Sequence, residues 1–494
     1  MILKIFGQDK SQKPTEAQDA PATPETASPP PQPDMVEEPD APEPQPEEAE
    51  PMAEVQQDPP EPATDPKPFH HKEHYFAAPP PPRTMEETGL SDTFLIGLVS
   101  KVLQQGGTMT PAEISAVIKI PKVICRQIIK EMSHLLLVEA QGLETQDIKS
   151  DIRYSLTDRG KKWAMDAMAV SQYVGPAPVT LKMFEEQVRK QSIDHEKVHR
   201  AELDKAFSHL VIPDILKAQL GPAVNSGRSM LMYGEPGNGK TSLAEAIGTS
   251  FVDIVSFPYA ILVGNQLIRF YDETLHQLAD MPEDADPIDP RWVACHRPVV
   301  IAGGELTLPM LDLEFEHTAR YYEAPMHLKA LGGIFVLDDF GRQLERPQAY
   351  LNRWIVPLEK GYDFLSLHTG KKFMVPFDQL VVFSSNFFPE DLGDEASLRR
   401  IYFKIHVPSP TREDYLQIFR DVCKNAGLEW KSDVMDGFFE RKYVKENYVT
   451  SGAHPGFLVS HILAACRYLD RTPELSDELL ELAWRNVAAS KKQH

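Results

Sequence analysis

The sequence predicts an α/β protein, in which a parallel sheet is followed by an α-helical lid and preceded by a helix-and-wing domain and a disordered N-terminal arm. Three observations predict it. Short continuous apolar runs at 229–233, 334–337 and 380–383 read as buried parallel strands, and each stops at glycine, acidic or small polar residues, where such a sheet presents its ligand-binding edge. Apolar residues at helical spacing, with capping signals, fill 90–135. Pro, Glu, Asp, Ala and Gln dominate 11–83, a composition that buries too little apolar surface to offset its ordering entropy.

The chain has 494 residues, enough for about three domains. Its net charge of −22 is uneven: residues 1–88 hold 19 acids against 6 lysines and arginines, so −13 sits there and −9 on the remainder. The body is thus only mildly acidic, which argues against capture of nucleic acid or anionic membrane by the whole protein and leaves room for a local basic face. We read 1–88 as a disordered, acidic, proline-rich arm that recruits a partner or spaces the rest. Its apolar opening, 1–7, reads as an unstructured terminus or a small docking peptide, and His70, His71 and His74 read as a solvated patch for want of a second ligand cluster. Cys125, Cys295, Cys423 and Cys466 are far apart and form no metal or redox motif, so they read as buried thiols in a reducing compartment. No run reaches the 18 apolar residues of a membrane span, and the expected localisation is cytoplasmic.

Residues 89–170 form the next predicted domain. Phe94, Leu95, Leu98, Val99 and Val102 mark a first helix that Gly106 and Gly107 stop. Thr110, Pro111 and Glu113 supply a cap, a proline at the first helical position and an acid in the first turn of a second helix, which runs to about Ile118. Val123, Ile124, Ile128, Ile129 and Met132 make a third. Strands follow at 135–138 and 151–158, then a closing helix from Arg159. This order, with Leu156, Thr157, Asp158 and Gly160 at the turn, resembles bacterial winged helix-turn-helix domains. Lys122, Arg126 and Lys130 share one face of the third helix, which is suited either to phosphate contact or, as ordinary solvated charge, to a module that docks protein.

A linker at 172–178 and a long helical stretch, 184–210, lead through a helix at 214–220 into the third predicted domain, 171–408. There the strand 229–233 feeds Gly234, Glu235, Pro236, Gly237, Asn238, Gly239, Lys240, Thr241 and Ser242, and helix formers follow. Strand, glycine-rich loop and helix together make a phosphate-binding loop: the glycines let backbone N–H groups turn inward, Lys240 adds a point charge, and the Thr241 hydroxyl is a suitable Mg2+ ligand. The run 334–337 ends in Asp338, placed to hold the metal from the strand beside the loop, and in Asp339; hydrolysis would also need a water aligned with the terminal phosphate. The run 380–383 leads to Asn386, whose amide can bond both that water and a terminal phosphate.

These motifs in this order resemble AAA+ P-loop ATPases, and the resemblance covers 178–487. It implies a P-loop NTPase sheet with a helical lid at 409–494, binding and hydrolysis of ATP with Mg2+, and assembly into a homo-oligomeric ring of six subunits. It implies that Asp339 and Asn386 are catalytic and that Arg399 or Arg400 is the arginine finger offered to a neighbouring subunit, each having an internal salt bridge as its alternative. Two departures stand out. Aspartate occupies the position where the family usually carries glutamate, and His454, Pro455, Gly456 and Phe457 stand where the lid usually carries a sensing arginine, with His461 and Arg467 as nearby substitutes.

About 90 residues separate the loop from Asp338, more than one crossover needs. They include an acidic loop at 282–287 and the run 299–306, read as an insertion that touches substrate or as a solvated elaboration. A hairpin is expected at 362–375 with its turn near Gly370. The functional expectation is an ATPase that remodels a protein partner in the manner of a chaperone. The alternatives are a DNA-binding or transcription-associated ATPase and a nucleotide-controlled scaffold with little turnover.

Overall fold

The computed structural model describes residues 79–143, 152–281 and 286–488, all within one compact unit that spans 70–494. The arm up to residue 78, its histidines and apolar opening, Asp151 and most of the acidic loop lie outside the described residues.

The first helix, Asp92–Gly106, is capped by Ser91, and the second, Pro111–Ile118, begins with a full capping box between Thr110 and Glu113. Lys122–His134 follows, then the antiparallel pair Val138–Leu143 and Ile152–Leu156, then the helix Asp158–Val170. Glycine at 160 has a steric cause: a Cβ there would stand 2.0 Å from the Leu137 carbonyl oxygen, so the closing helix packs directly on the strand backbone. Leu95, Val99, Ile114, Ile124, Ile128 and Met132 fill the core of this module.

Five parallel strands make the central sheet, in the spatial order Phe403–His406, Met230–Tyr233, Leu380–Ser385, Ile334–Leu337 and Val299–Ala302. Tyr233 is level with Ser385 and His406, and Leu337 with Phe383. That register brings Gly234, Asp338, Asp339 and Asn386 to one edge of the sheet, the C-terminal edge at which α/β proteins bind ligands. This is the α/β sheet of a P-loop protein. The expectation that the Asp338 strand lies beside the loop strand is corrected: Leu380–Ser385, buried along its whole length, lies between them. Apolar runs identify strands and leave their spatial order open, because crossovers of this length reach any neighbour.

The reading of 299–306 as an insertion is corrected as well. Val299–Ala302 is the fifth core strand, parallel to Ile334–Leu337. The extra residues instead build a second sheet from Glu314–Glu316, Tyr321–Glu323, Gln266–Arg269, Ala260–Val263 and Val179–Thr180, beside a pair formed by Ile254–Pro258 and Trp292–His296. Phe257, Phe270, Trp292 and Tyr322 are buried there, so this is a folded layer and not a solvated loop. Ala260 and Leu267 join the core of the first module. Asp289 and Arg291, both fully buried, close the joint: Arg291 donates to Thr88 O at 2.8 Å and Pro178 O at 3.3 Å, and the Asp289 N–H donates to Pro79 O at 2.8 Å.

The predicted helix 184–210 is broken into Leu181–Lys190, a turn at Ile193–His195, and Arg200–Ala206. Long-range bonds override local propensity here. Asp378 accepts from Ser192 Oγ at 2.8 Å and Ile193 N at 3.3 Å, while buried Glu196 pairs with Arg297 and accepts from Val252 N at 2.6 Å. The predicted hairpin is present as Tyr362–Ser366 and Lys372–Pro376, with Gly370 at φ 81 in its turn. After Pro408 come the helices Arg412–Asn425, Ser432–Phe439, Ala453–Tyr468 and Asp477–Ala488 around a core of Tyr415, Phe419, Phe438, Ile462 and Trp484. All four cysteines are free and buried.

Candidate functional site

The loop after Tyr233 turns on three glycines at positive φ, Gly234 at 147, Gly237 at 80 and Gly239 at 79. A Cβ at Gly234 would stand 2.3 Å from the Val407 carbonyl oxygen, so a side chain is excluded on steric grounds too. The helix Lys240–Thr249 begins where the loop ends and is pinned by Leu243, Ala244 and Ile247 against the sheet. Its free N–H groups and positive end therefore face the loop interior, the arrangement that cradles phosphate.

Lys240 reaches back across the loop, donating to Gly234 O at 2.9 Å, Glu235 O at 3.0 Å and Asn386 Oδ1 at 2.7 Å. Burial pushes its ammonium below the ordinary lysine value, opposed by the charges of Asp338, Asp339 and Glu235. Thr241 Oγ1 donates to Asp338 Oδ2 at 2.8 Å, and Asn386 Nδ2 to Asp339 Oδ1 at 2.8 Å. Five of the residues singled out from sequence thus form two hydrogen-bonded sets at one strand edge. Gln343, which sequence reading missed, supports them: its Nε2 donates to Asp338 O at 3.0 Å and its Oε1 accepts from Gly341 N at 2.9 Å. No sequence signal marks it, since it acts only through the backbone turn after Asp339.

The two sets open into a cavity of about 730 Å3. Val211, Ile212 and Leu216 line it ahead of the loop, and Ile418 and Val422 line it from the lid. Arg342, also missed, lines it beside Asp339. Apolar residues at helical spacing read as ordinary core, which is why this slot was not visible in the sequence. Thr241 and Asp338 offer a hydroxyl and a carboxylate oxygen side by side, the hard donors that Mg2+ takes. Among the described residues no group of three or more His, Cys, Asp or Glu is placed to hold a metal.

Arg399 and Arg400 follow the short helix Glu395–Leu398, and neither lines the cavity. Arg399 is exposed, while Arg400 Nε donates to Glu359 Oε1 at 3.1 Å and its carbonyl accepts from Ser229 Oγ. The start of the lid helix Ala453–Tyr468 contributes Gly452 and Ala453 to the cavity, not His461 or Arg467. Those two lie about 12 Å and 21 Å farther along the helix at its rise per residue, which corrects the suggestion that they replace the lid arginine. His454 is turned inward, its Nδ1 bonded to Tyr443 OH at 2.9 Å.

A family described as "Domain of unknown function (DUF8689)" matches residues 411–486, the lid. No curated protein matches the chain. Among solved structures it is similar to the RuvB Holliday junction branch migration motor of Thermotoga maritima, with 12% identity over 61% of this chain and 72% of that one and a TM-score of 0.32. It is similar to NtrX from Brucella abortus in complex with ATP, with 14% identity over 67% and 68% and a TM-score of 0.34. It is also similar to the complex between BchI and BchD of magnesium chelatase, with 14% identity over 57% and 94% and a TM-score of 0.31. No described helix is long and apolar enough to cross a membrane.

Proposed function

We propose that the chain binds and hydrolyses ATP. The observation that carries the reading is the pair of sets Thr241–Asp338 and Lys240–Asn386–Asp339, which meet at the mouth of one cavity on the loop. In this reading the loop N–H groups and Lys240 hold the phosphates. The apolar slot of Ile212, Ile418 and Val422 takes the adenine. Thr241 and Asp338 hold Mg2+, which when bound neutralises charge on the phosphate oxygens. Asp339 accepts a proton from the attacking water, and Asn386 orients that water by bonding the carboxylate that receives it.

Arg399 is the better finger, because Arg400 is engaged with Glu359. An exposed guanidinium outside its own cavity suits delivery to a neighbour, so the homo-oligomeric ring belongs to this proposal. Work on a protein partner is the favoured output: the first module is joined through the second sheet to the ATPase body, so movement at the nucleotide would carry it along. The DNA reading keeps one observation in its favour, the exposed Arg126 and Lys130 on the third helix. Calorimetry with Mg2+ and ATP tests the core of the proposal; heat-silent titration at 100 μM protein, about the scale of a weak site, would end it. Unchanged duplex affinity after removal of 89–170 would end the DNA alternative.

A further inference from the structure

We propose that Asn238 is a positioning residue that couples the phosphate loop to the lid through its side-chain amide. The inference rests on the reading of this cavity as a nucleotide site. Asn238 Nδ2 donates to Ser409 Oγ at 3.2 Å, and its Oδ1 accepts from Gly452 N at 3.4 Å. These two contacts lie on either side of the joint between core and lid. Ser409 belongs to the segment that leaves the last core strand, whereas Gly452 opens the lid helix Ala453–Tyr468.

The contact continues on both sides of the amide. Ser451 Oγ donates to Pro236 O at 3.4 Å, and Thr450 Oγ1 to Pro410 O at 2.6 Å. A Cβ at Gly237 would stand 2.6 Å from Ser451 Oγ and 3.0 Å from Ala453 Cβ, so the loop backbone lies directly against the Ser451 and Ala453 side chains of the lid segment. Behind the contact, His454 is tied through Tyr443 to Tyr415 in the lid core, at 2.9 and 2.8 Å. A shift of the loop around phosphates therefore moves the amide, and the amide bears on a lid segment that is fixed to its own domain.

The bond lengths suit a switch. At 3.4 Å the Gly452 bond is beyond the usual 2.7–3.2 Å range, so it is weak and made or lost by small displacements, while the Ser409 bond keeps the amide aimed. Lid motion would then report loop occupancy, with no cation from the lid needed at the phosphates.

The test uses the full chain, its Ser409→Ala, Ser409→Thr and Asn238→Ala variants, and Mg2+ with ADP as probe. Affinity is read by calorimetry, and hydrogen exchange is followed at the amides of 450–453. In the unmodified protein and in S409T, nucleotide should slow exchange there by about tenfold or more. In S409A the affinity should stay within about threefold while that slowing disappears, and N238A should lose it at saturating nucleotide. Slowing in S409A and N238A equal to that of the unmodified protein would overturn the coupling and leave the nucleotide site standing. Should the unmodified protein itself fail to bind, the nucleotide reading falls first, which separates the two failures.

Discussion

Asn386 donates its Nδ2 to Asp339 Oδ1 at 2.8 Å across the sheet edge. Its Oδ1 accepts from Lys240 at the same time, so the amide has one orientation that satisfies both neighbours. Replacing the amide by a carboxylate keeps the shape and reverses one contact: Asn386→Asp puts two like charges together and removes the donor. ATP hydrolysis should fall by about a hundredfold, with a much smaller change in nucleotide affinity, because Lys240 keeps an acceptor. Phosphate release and calorimetry on the same preparation check this. Equal turnover in the variant would remove Asn386 from the mechanism.

Aspartate at 339 has a backbone reason. The residue sits at φ 49, in the left-handed region that Asp and Asn enter more readily than longer side chains. Asp339→Glu should therefore lower stability by about 1 kcal/mol, read as a shift in the urea midpoint without a change in slope. Asp339→Asn should keep the fold and nucleotide binding while hydrolysis drops at least about a hundredfold.

The strand ends were more legible than the paths between them. Lys240, Thr241, Asp338, Asp339 and Asn386 were expected at the ends of three apolar runs, and the structure brings them together at one edge of the sheet. The second sheet was not expected, since Val179–Thr180 and Glu314–Glu316 are two- and three-residue strands recruited from distant parts of the chain. Such pieces have no periodicity to read. The same holds for the break at 191–199, caused by Asp378 and Arg297, which lie about a hundred residues or more away in sequence. Gln343 and Arg342 were missed for a related reason: their roles come from the turn after Asp339, not from any motif.

Arg399 and Arg400 should separate by experiment. Arg400→Ala removes the half-exposed pair with Glu359 and should cost no more than about 1 kcal/mol of stability. Arg399→Ala should leave stability unchanged and lower turnover by about a thousandfold in the assembled protein. When Arg399→Ala subunits are mixed into unmodified protein, activity should fall in a curve that departs from simple dilution, since each variant subunit silences a neighbour. A straight line through all mixtures would place the guanidinium outside the site.

His276 makes folding pH-dependent in a predictable direction. The ring is buried against both Phe257 and Phe270, with centroids 4.6 and 5.7 Å away. Its Nδ1 accepts from Asp272 N at 3.0 Å, and its Nε2 donates to Lys329 O at 2.8 Å, an arrangement that only the neutral ring satisfies. Burial pushes its pKa down to about 4, against 6.5 for a free imidazole, with the Lys329 carbonyl and Asp272 opposing the shift. Between those values the unfolded chain takes a proton that the folded one refuses, so this contribution is whole above pH 6.5 and is lost as pH falls toward 4. The loss over that window is about 3 kcal/mol. Because carboxylates titrate there as well, the informative quantity is the difference between the unmodified protein and His276→Gln. The variant should be less stable at pH 7, for want of the stacked ring, and should lose about 2 kcal/mol less between pH 7 and pH 4.5. Parallel pH curves for the two proteins would mean that the folded ring takes up a proton as readily as the unfolded one, and the hydrogen bond assigned to its Nδ1 would then be wrong.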